Sequence, residues 1–228
     1  MSGSFEVTRL ERPAYPRKVL FALELIDPVT LTRVSQGVAV VAEGLRGKPI
    51  VSSSGLFVWL KEGDASVQRV SIDPRALPYD KIEIQKAELT LSPVKPPLTT
   101  IELRPRLDYA FSSGITGVRG RLIEDRSEPP RPVRDATVGL FWLDEDGAWQ
   151  RSPAQSRTSA DGDFVSILRL TSNGAPLLDA QGAVTLGLRA RRDGVSERRS
   201  ADVKVPQGRV ADPSTLTALV FAWDELQL

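Results

Sequence analysis

The chain has 228 residues, 41% hydrophobic and 26% charged, with 30 basic against 29 acidic side chains and a formal net charge of +1. That length suits one large domain or two of about 100 residues each, and the near-neutral balance supplies no overall field for nucleic acid or an acidic membrane surface. Cysteine and histidine are both absent, which excludes disulfides, thiolate nucleophiles, histidine-based zinc sites, H-E-x-x-H motifs and Ser-His-Asp chemistry.

Residues 1–15 have no apolar run of signal-peptide length and carry early acids and prolines, so they read as an N-terminal arm. No segment approaches the roughly 18 apolar residues of a membrane helix. The expectation is a chain cytoplasmic as synthesised, with no membrane insertion. From residue 18 on, glycines and prolines punctuate short runs rich in Val, Ile, Leu, Thr and Phe: "KVLFALELID", "GVAVVAEGL", "GLFVWLKEG", "VQRVSID", "KIEIQKAELTLS" and "LTTIELRPR". Several alternate with period two, the pattern of half-buried antiparallel strands in a sandwich. The same sequence of events then recurs. "FALELID", "VSQGVAVVAEGL" and "SSSGLFVWLKEG" correspond to "VRGRLIED", "VRDATVGLFWL" and "SADGDFVSILRL". The tails "LTTIEL" and "LTALVF" also align, which favours a strand over a helix within "DPSTLTALVFAWDEL". The extra length in "LDEDGAWQRSPAQ" (143–155) reads as a longer hairpin loop.

The expected architecture is all-β: two tandem antiparallel β-sandwiches of about seven strands each, over 16–107 and 115–228, with 108–114 as a short apolar joint. Tyr109 and Phe111 in the joint predict that it packs between the halves. Val118, Gly120 and Leu122, then Ala136, Val138 and Leu140, then Thr158, Asp161, Gly162 and Phe164 carry a further likeness. This pattern resembles the carboxypeptidase regulatory-like domain, a transthyretin-like (prealbumin-like) sandwich, over residues 116–190. In the first half the resemblance is weaker, with Ser54, Gly55 and Phe57 at the turn. It implies a non-catalytic domain that serves as a spacer, a binding module or an appended part of a larger machine.

Each candidate site also has a plain structural reading. Asp144, Asp146, Asp161 and Asp163 could supply oxygens to calcium, but EF-hand spacing is missing. The alternative is a tight turn in which Gly162 takes positive φ and Asp161 accepts backbone N–H groups. The second copy of the turn, Ser54-Gly55, lacks the carboxylates. Glu43, Asp125, Glu145 and Asp161 form no recognisable hydrolytic pair. Arg191, Arg192, Arg198 and Arg199, in "LRARRDGVSERRS", read as an exposed hairpin or partner-contact face, without the interleaved aromatics of a nucleic-acid platform. Trp59, Trp142 and Trp223 fall in strand runs and read as core. Trp149, placed in the 143–155 loop, is the remaining candidate contact. No cofactor is implied. The functional expectation is a non-enzymatic subunit or adaptor of a protein assembly, for example phage-tail-like or secretion machinery, with other protein subunits as partners. The alternative is a carbohydrate-binding module using the 143–155 loop.

Overall fold

The structure, a computed structural model, describes residues 18–61, 63–64, 66–170, 174–212 and 219–228. The expected arm over 1–15 and the proline-led start of the last run, 213–218, lie outside the described residues. Every regular element among the described residues is a strand or a short 3-10 turn, so the fold is all-β.

In the first half the strands are β1 (Val19–Ile26), β2 (Ala39–Glu43), β3 (Ile50–Val51), β4 (Phe57–Leu60), β5 (Arg69–Asp73), β6 (Ile82–Gln85) and β7 (Leu98–Glu102). They form one sheet in the order β3-β4-β1-β7 and a second in the order β2-β5-β6. Burial alternates along β2, β5 and β6 as the period-two pattern predicts. Phe21, Leu23 and Leu25 from β1, Phe57 and Trp59 from β4, and Val70, Ile72, Ile82 and Ile84 from the other sheet meet in one apolar cluster. Each such side chain removed from water contributes about 1.5–3 kcal/mol, enough together to hold two faces that neither sheet could bury alone. The long run from Lys81 does not continue as strand. Lys86–Glu88 form a 3-10 turn, fastened by the Gln85 N–H donating to Glu88 Oε2 at 2.8 Å.

The second half contains β8 (Gly117–Ile123), β9 (Thr137–Leu143), β10 (Trp149–Arg157), β11 (Asp163–Ile167), β12 (Ala183–Arg191), β13 (Arg198–Arg199), β14 (Val203–Pro206), β15 (Val210–Ala211) and β16 (Val220–Ala222). One sheet runs β10-β9-β12-β13, with β14 also on β12; the other runs β11-β8-β15, with β16 also on β8. Its core joins Val118 and Leu122 to Val138, Leu140, Trp142, Phe164, Leu186, Leu188 and Phe221. Pairing is antiparallel except at β1–β7, β8–β15 and β8–β16, which are parallel. Thus β1 and β8 each have an antiparallel neighbour that begins after a glycine turn and a parallel neighbour from the C-terminal side. Val220–Ala222 form the expected strand, whereas the following Trp223–Glu225 close into a 3-10 turn.

The 143–155 loop reading is corrected. The chain turns within Asp144–Ala148 and returns as β10, pairing Trp149 with Leu143. Pro153 and the run of small polar residues disguise a strand. Proline cannot donate to a ladder, yet it is tolerated on a sheet edge or at a bulge. β10 is an edge strand whose register shifts between Arg151 and Gln155, around that proline.

Several contacts span the joint. Tyr109 packs against Tyr79 at 5.6 Å and Phe111 at 4.7 Å between ring centroids. The Arg119 guanidinium of β8 lies 5.0 Å from the Phe111 centroid and donates to the Tyr109 carbonyl at 2.6 Å. Arg169, just after β11, donates to the Pro28 carbonyl and pairs with Glu102 at 3.4 Å.

Candidate functional site

The acid-rich turn before β11 is organised by a serine. The Ser159 hydroxyl accepts the N–H groups of Asp161 and Asp163, each at 3.2 Å, and Gly162 N–H donates to the Ser159 carbonyl at 3.0 Å. Sequence reasoning gave that acceptor role to Asp161; the hydroxyl two residues earlier fills it instead, forming an ST-turn. Gly162 takes φ +76°, and its carbonyl accepts the Leu122 N–H at 2.9 Å. Asp163 begins β11 opposite Arg121 and pairs with it at 2.6 Å. Asp161 is exposed.

Asp144 and Asp146 belong to the β9–β10 turn. Asp144 is buried, and its Oδ1 accepts the Ala148 N–H while its Oδ2 accepts Gln150 Nε2–H, both at 2.7 Å. The Gln150 bond first, and then the Ala148 N–H, hold its carboxyl below the ordinary carboxylate range. A depressed folded value means this contribution is present above the ordinary value of 3.8 and lost as pH falls through the folded one. Asp144→Asn is therefore expected to lose less Tm than the wild type between about pH 4 and pH 2, as scanning calorimetry across that range would show. Asp146 is exposed. Among the described residues, no three acidic side chains converge as a metal cluster.

The basic hairpin ending β12 is largely engaged within the chain. Arg189 is buried, donating to the Ser152 carbonyl at 3.0 Å and pairing with Glu197 at 3.2 Å. Its guanidinium lies across Gly139, where an added Cβ would stand 2.7 Å from Nε, and so covers the backbone beside the β10 bulge. Glu197 also holds Arg151 at 2.8 Å. Arg192 stacks 4.1 Å from the Trp223 centroid and pairs with Glu124 at 2.6 Å. Arg198 lies 5.1 Å from the same ring and donates to the Trp223 carbonyl at 2.9 Å. Arg199 lies 3.8 Å from the Trp149 centroid and 5.1 Å from that of Phe141. Of the four arginines singled out from sequence, Arg191 alone projects without an ion pair or hydrogen bond to a described residue. The aromatics missing from the hairpin's own sequence arrive from β9, β10 and the last turn, so only strand register reveals them. Trp149 is half-buried in β10, with one face covered by Arg199, and is no longer a free loop contact. Trp59 and Trp142 are core, as expected, and Trp223 is buried in its 3-10 turn.

Two clefts open where residues 98–109 approach the second half. One, of about 440 Å³, is lined by Asp80, Arg106, Asp108, Asp161, Asp163 and Phe164 among others. Arg106 is paired with Asp108, and burial pushes the Asp80 carboxyl up against the pull of Arg104 and Arg106. The other, of about 280 Å³, is lined by Glu102, Arg104, Thr137, Gln155, Arg157 and Arg191 among others. Sequence reasoning missed Arg104 and Arg157 because they lie far apart in the chain and outside any charge run.

No protein-family model matches the chain, and no curated protein matches it. Among solved structures, it is similar to a DUF3823 family protein from Bacteroides ovatus. The identity is 13%, 84% of this chain and 98% of that one are covered, and the TM-score is 0.24.

Proposed function

We propose that the chain is a non-catalytic structural or interaction module, a subunit or adaptor of a larger protein assembly, built from two copies of a carboxypeptidase regulatory-like, transthyretin-like sandwich. The duplicated plan is supported by pairing: β1 with β4 and β7 parallels β8 with β11 and β16, and β2-β5-β6 parallels β9-β12-β14. The bridges made by Arg119 and Arg169 across the joint favour a rigid spacer over two loosely tethered parts.

The observation that carries the interaction reading is the β3 edge. Ile50 and Val51 are 53% and 50% exposed at the end of a sheet that has four strands among the described residues. Edge strands of soluble proteins are ordinarily guarded by charge, and an apolar edge offers both backbone groups and side chains to an incoming strand. The carbohydrate alternative drew on a loop tryptophan, and Trp149 does not occupy one.

Tagged protein recovered from its native cell is expected to bring down the same protein partners in stoichiometric amounts. The double variant Ile50→Lys/Val51→Lys should lose them at unchanged Tm, since both residues are already half-exposed. Partners retained by that variant, or turnover by the purified chain on a broad hydrolase panel, would overturn the reading.

A further inference from the structure

The 280 Å³ cleft brings together three arginines whose guanidinium groups form no ion pair among the described residues. Arg157, Thr137 and Arg191 are directly opposed across β10, β9 and β12. Opposed residues stand on the same face of a sheet, and the preceding row, Ser156, Val138 and Ala190, turns Val138 and Ala190 into the core. Arg157 and Arg191 therefore rise from the outer face about 10 Å apart, two inter-strand spacings. The Thr137 side chain lies between them on the floor. Arg104, on the chain leaving β7, lines the same cleft.

Among the described residues, Glu102 is the one acidic residue lining this cleft, and it is paired with Arg169. The guanidinium groups of Arg104, Arg157 and Arg191 make no ion pair or hydrogen bond with any described residue. This sets them apart from the neighbouring arginines of the hairpin, whose charges rest on Glu124, Glu197 or aromatic rings. Arg104 is half-buried, and its burial, followed by the nearby charge of Arg157, lowers its pKa from the ordinary guanidinium value. Asp135, Asp80 and Glu88 pull in the opposite direction without reversing that result. A positive charge partly withdrawn from water beside a like charge is costly, and an anion seated between them removes the cost.

We propose that this cleft is an oxyanion-binding site, in which Arg104, Arg157 and Arg191 together hold a phosphate- or sulfate-type dianion, free or as the end group of a small ester. Three guanidinium forks offer more donors than the two oxygens of a carboxylate can accept, whereas a tetrahedral oxyanion presents oxygens in three or four directions. At about 280 Å³ the cleft has room for such a group and for the small ester that carries it. Among the described residues no aromatic side chain lines it, so they provide no stacking surface for a base. This inference is independent of the module reading above.

The test is calorimetric titration and thermal unfolding of the full chain with inorganic phosphate, inorganic sulfate, glucose 6-phosphate and glucose 6-sulfate. Chloride and acetate at matched ionic strength serve as controls. Phosphate or sulfate is expected to bind saturably and raise Tm, and Arg157→Gln and Arg191→Gln should each weaken binding by about tenfold or more. Arg191→Lys, which keeps the charge but loses the fork, should fall between. Without added anion, Arg157→Gln should leave Tm unchanged or higher, because it removes the repulsion on Arg104. Binding of the esters at least as tight as that of the inorganic ions identifies an ester end group; binding of the inorganic ions alone identifies the free anion. Shifts no larger than those of chloride, or saturable binding unchanged in both glutamine variants, would overturn the proposal.

Discussion

Gly162→Ala is expected to destabilise the protein by roughly 3 kcal/mol, a loss of about 6–12 °C in Tm for a chain of this size. Two costs combine. Gly162 sits at φ +76°, where an L-residue is strained, and an added Cβ would press well inside van der Waals distance of the Leu122 carbonyl oxygen. The glycine cannot retreat without breaking its bond from the Leu122 N–H, which joins the turn to the end of β8. Asp161→Ala should shift stability by less than about 0.5 kcal/mol, because Asp161 is exposed and its carboxylate holds no part of the turn. Asp163→Ala should cost no more than about 1 kcal/mol, the worth of a surface ion pair. Chemical denaturation of the three variants separates the readings: the geometry requires the glycine to dominate. An Asp161 effect as large as that of Gly162 would show that the acids carry a role that the turn does not explain.

Asp27→Ala should cost about 3 kcal/mol. Asp27 is 5% exposed, and its carboxylate accepts the Val29 N–H at 2.8 Å, the Thr30 hydroxyl at 2.8 Å and the Tyr109 hydroxyl at 2.7 Å. Truncation removes the carboxylate acceptor of the phenol, the Thr30 hydroxyl and the Val29 amide beneath the joint. Tyr109→Phe removes only the last bond and should cost about 2 kcal/mol. A double-mutant cycle is expected to give a coupling of about 1–2 kcal/mol, since the pair shares one buried bond. Additive losses would mean that the two side chains act separately.

The same pair should make the protein sensitive to alkali. Burial, followed by the charge of Asp27, pushes the Tyr79 hydroxyl up to about 12; burial, followed by its hydrogen bond to Asp27, raises Tyr109 as well. A folded value above the ordinary 10.0 means that the fold holds the proton more tightly than the unfolded chain does. That contribution is complete below pH 10 and lost as pH rises from 10 toward 12. Tm should fall steeply over that interval, and Tyr109→Phe should flatten the fall while starting from a lower Tm. Tyrosinate absorbance recorded during the same titrations would place the ionisation.

Features encoded over a few residues were legible in the sequence. Alternation in "VQRVSID" and "KIEIQ" gave the inward faces of β5 and β6, and Gly162 before Phe164 gave a turn followed by a core ring. Where local composition and tertiary context disagreed, the sequence misled. Pro153 among small polar residues reads as loop, yet an edge strand with a bulge accepts it. "DGD" reads as acids serving a turn, yet a neighbouring serine hydroxyl is closer to the free N–H groups.

By itself, then, the sequence determined an all-β chain, the residues facing its cores, and the exclusion of histidine and cysteine chemistry, because side-chain period and residue type are local properties. Only the tertiary structure decided which charges are spent and which remain free. Asp27 meets Tyr109 across 82 residues, Arg199 finds Trp149 through two strand pairings, and Arg104 faces Arg157 and Arg191 from the other half of the chain. Those meetings depend on register and on how the halves pack: a one-residue change of register would turn the strand residues Trp149, Arg157, Arg191 and Arg199 to the opposite face.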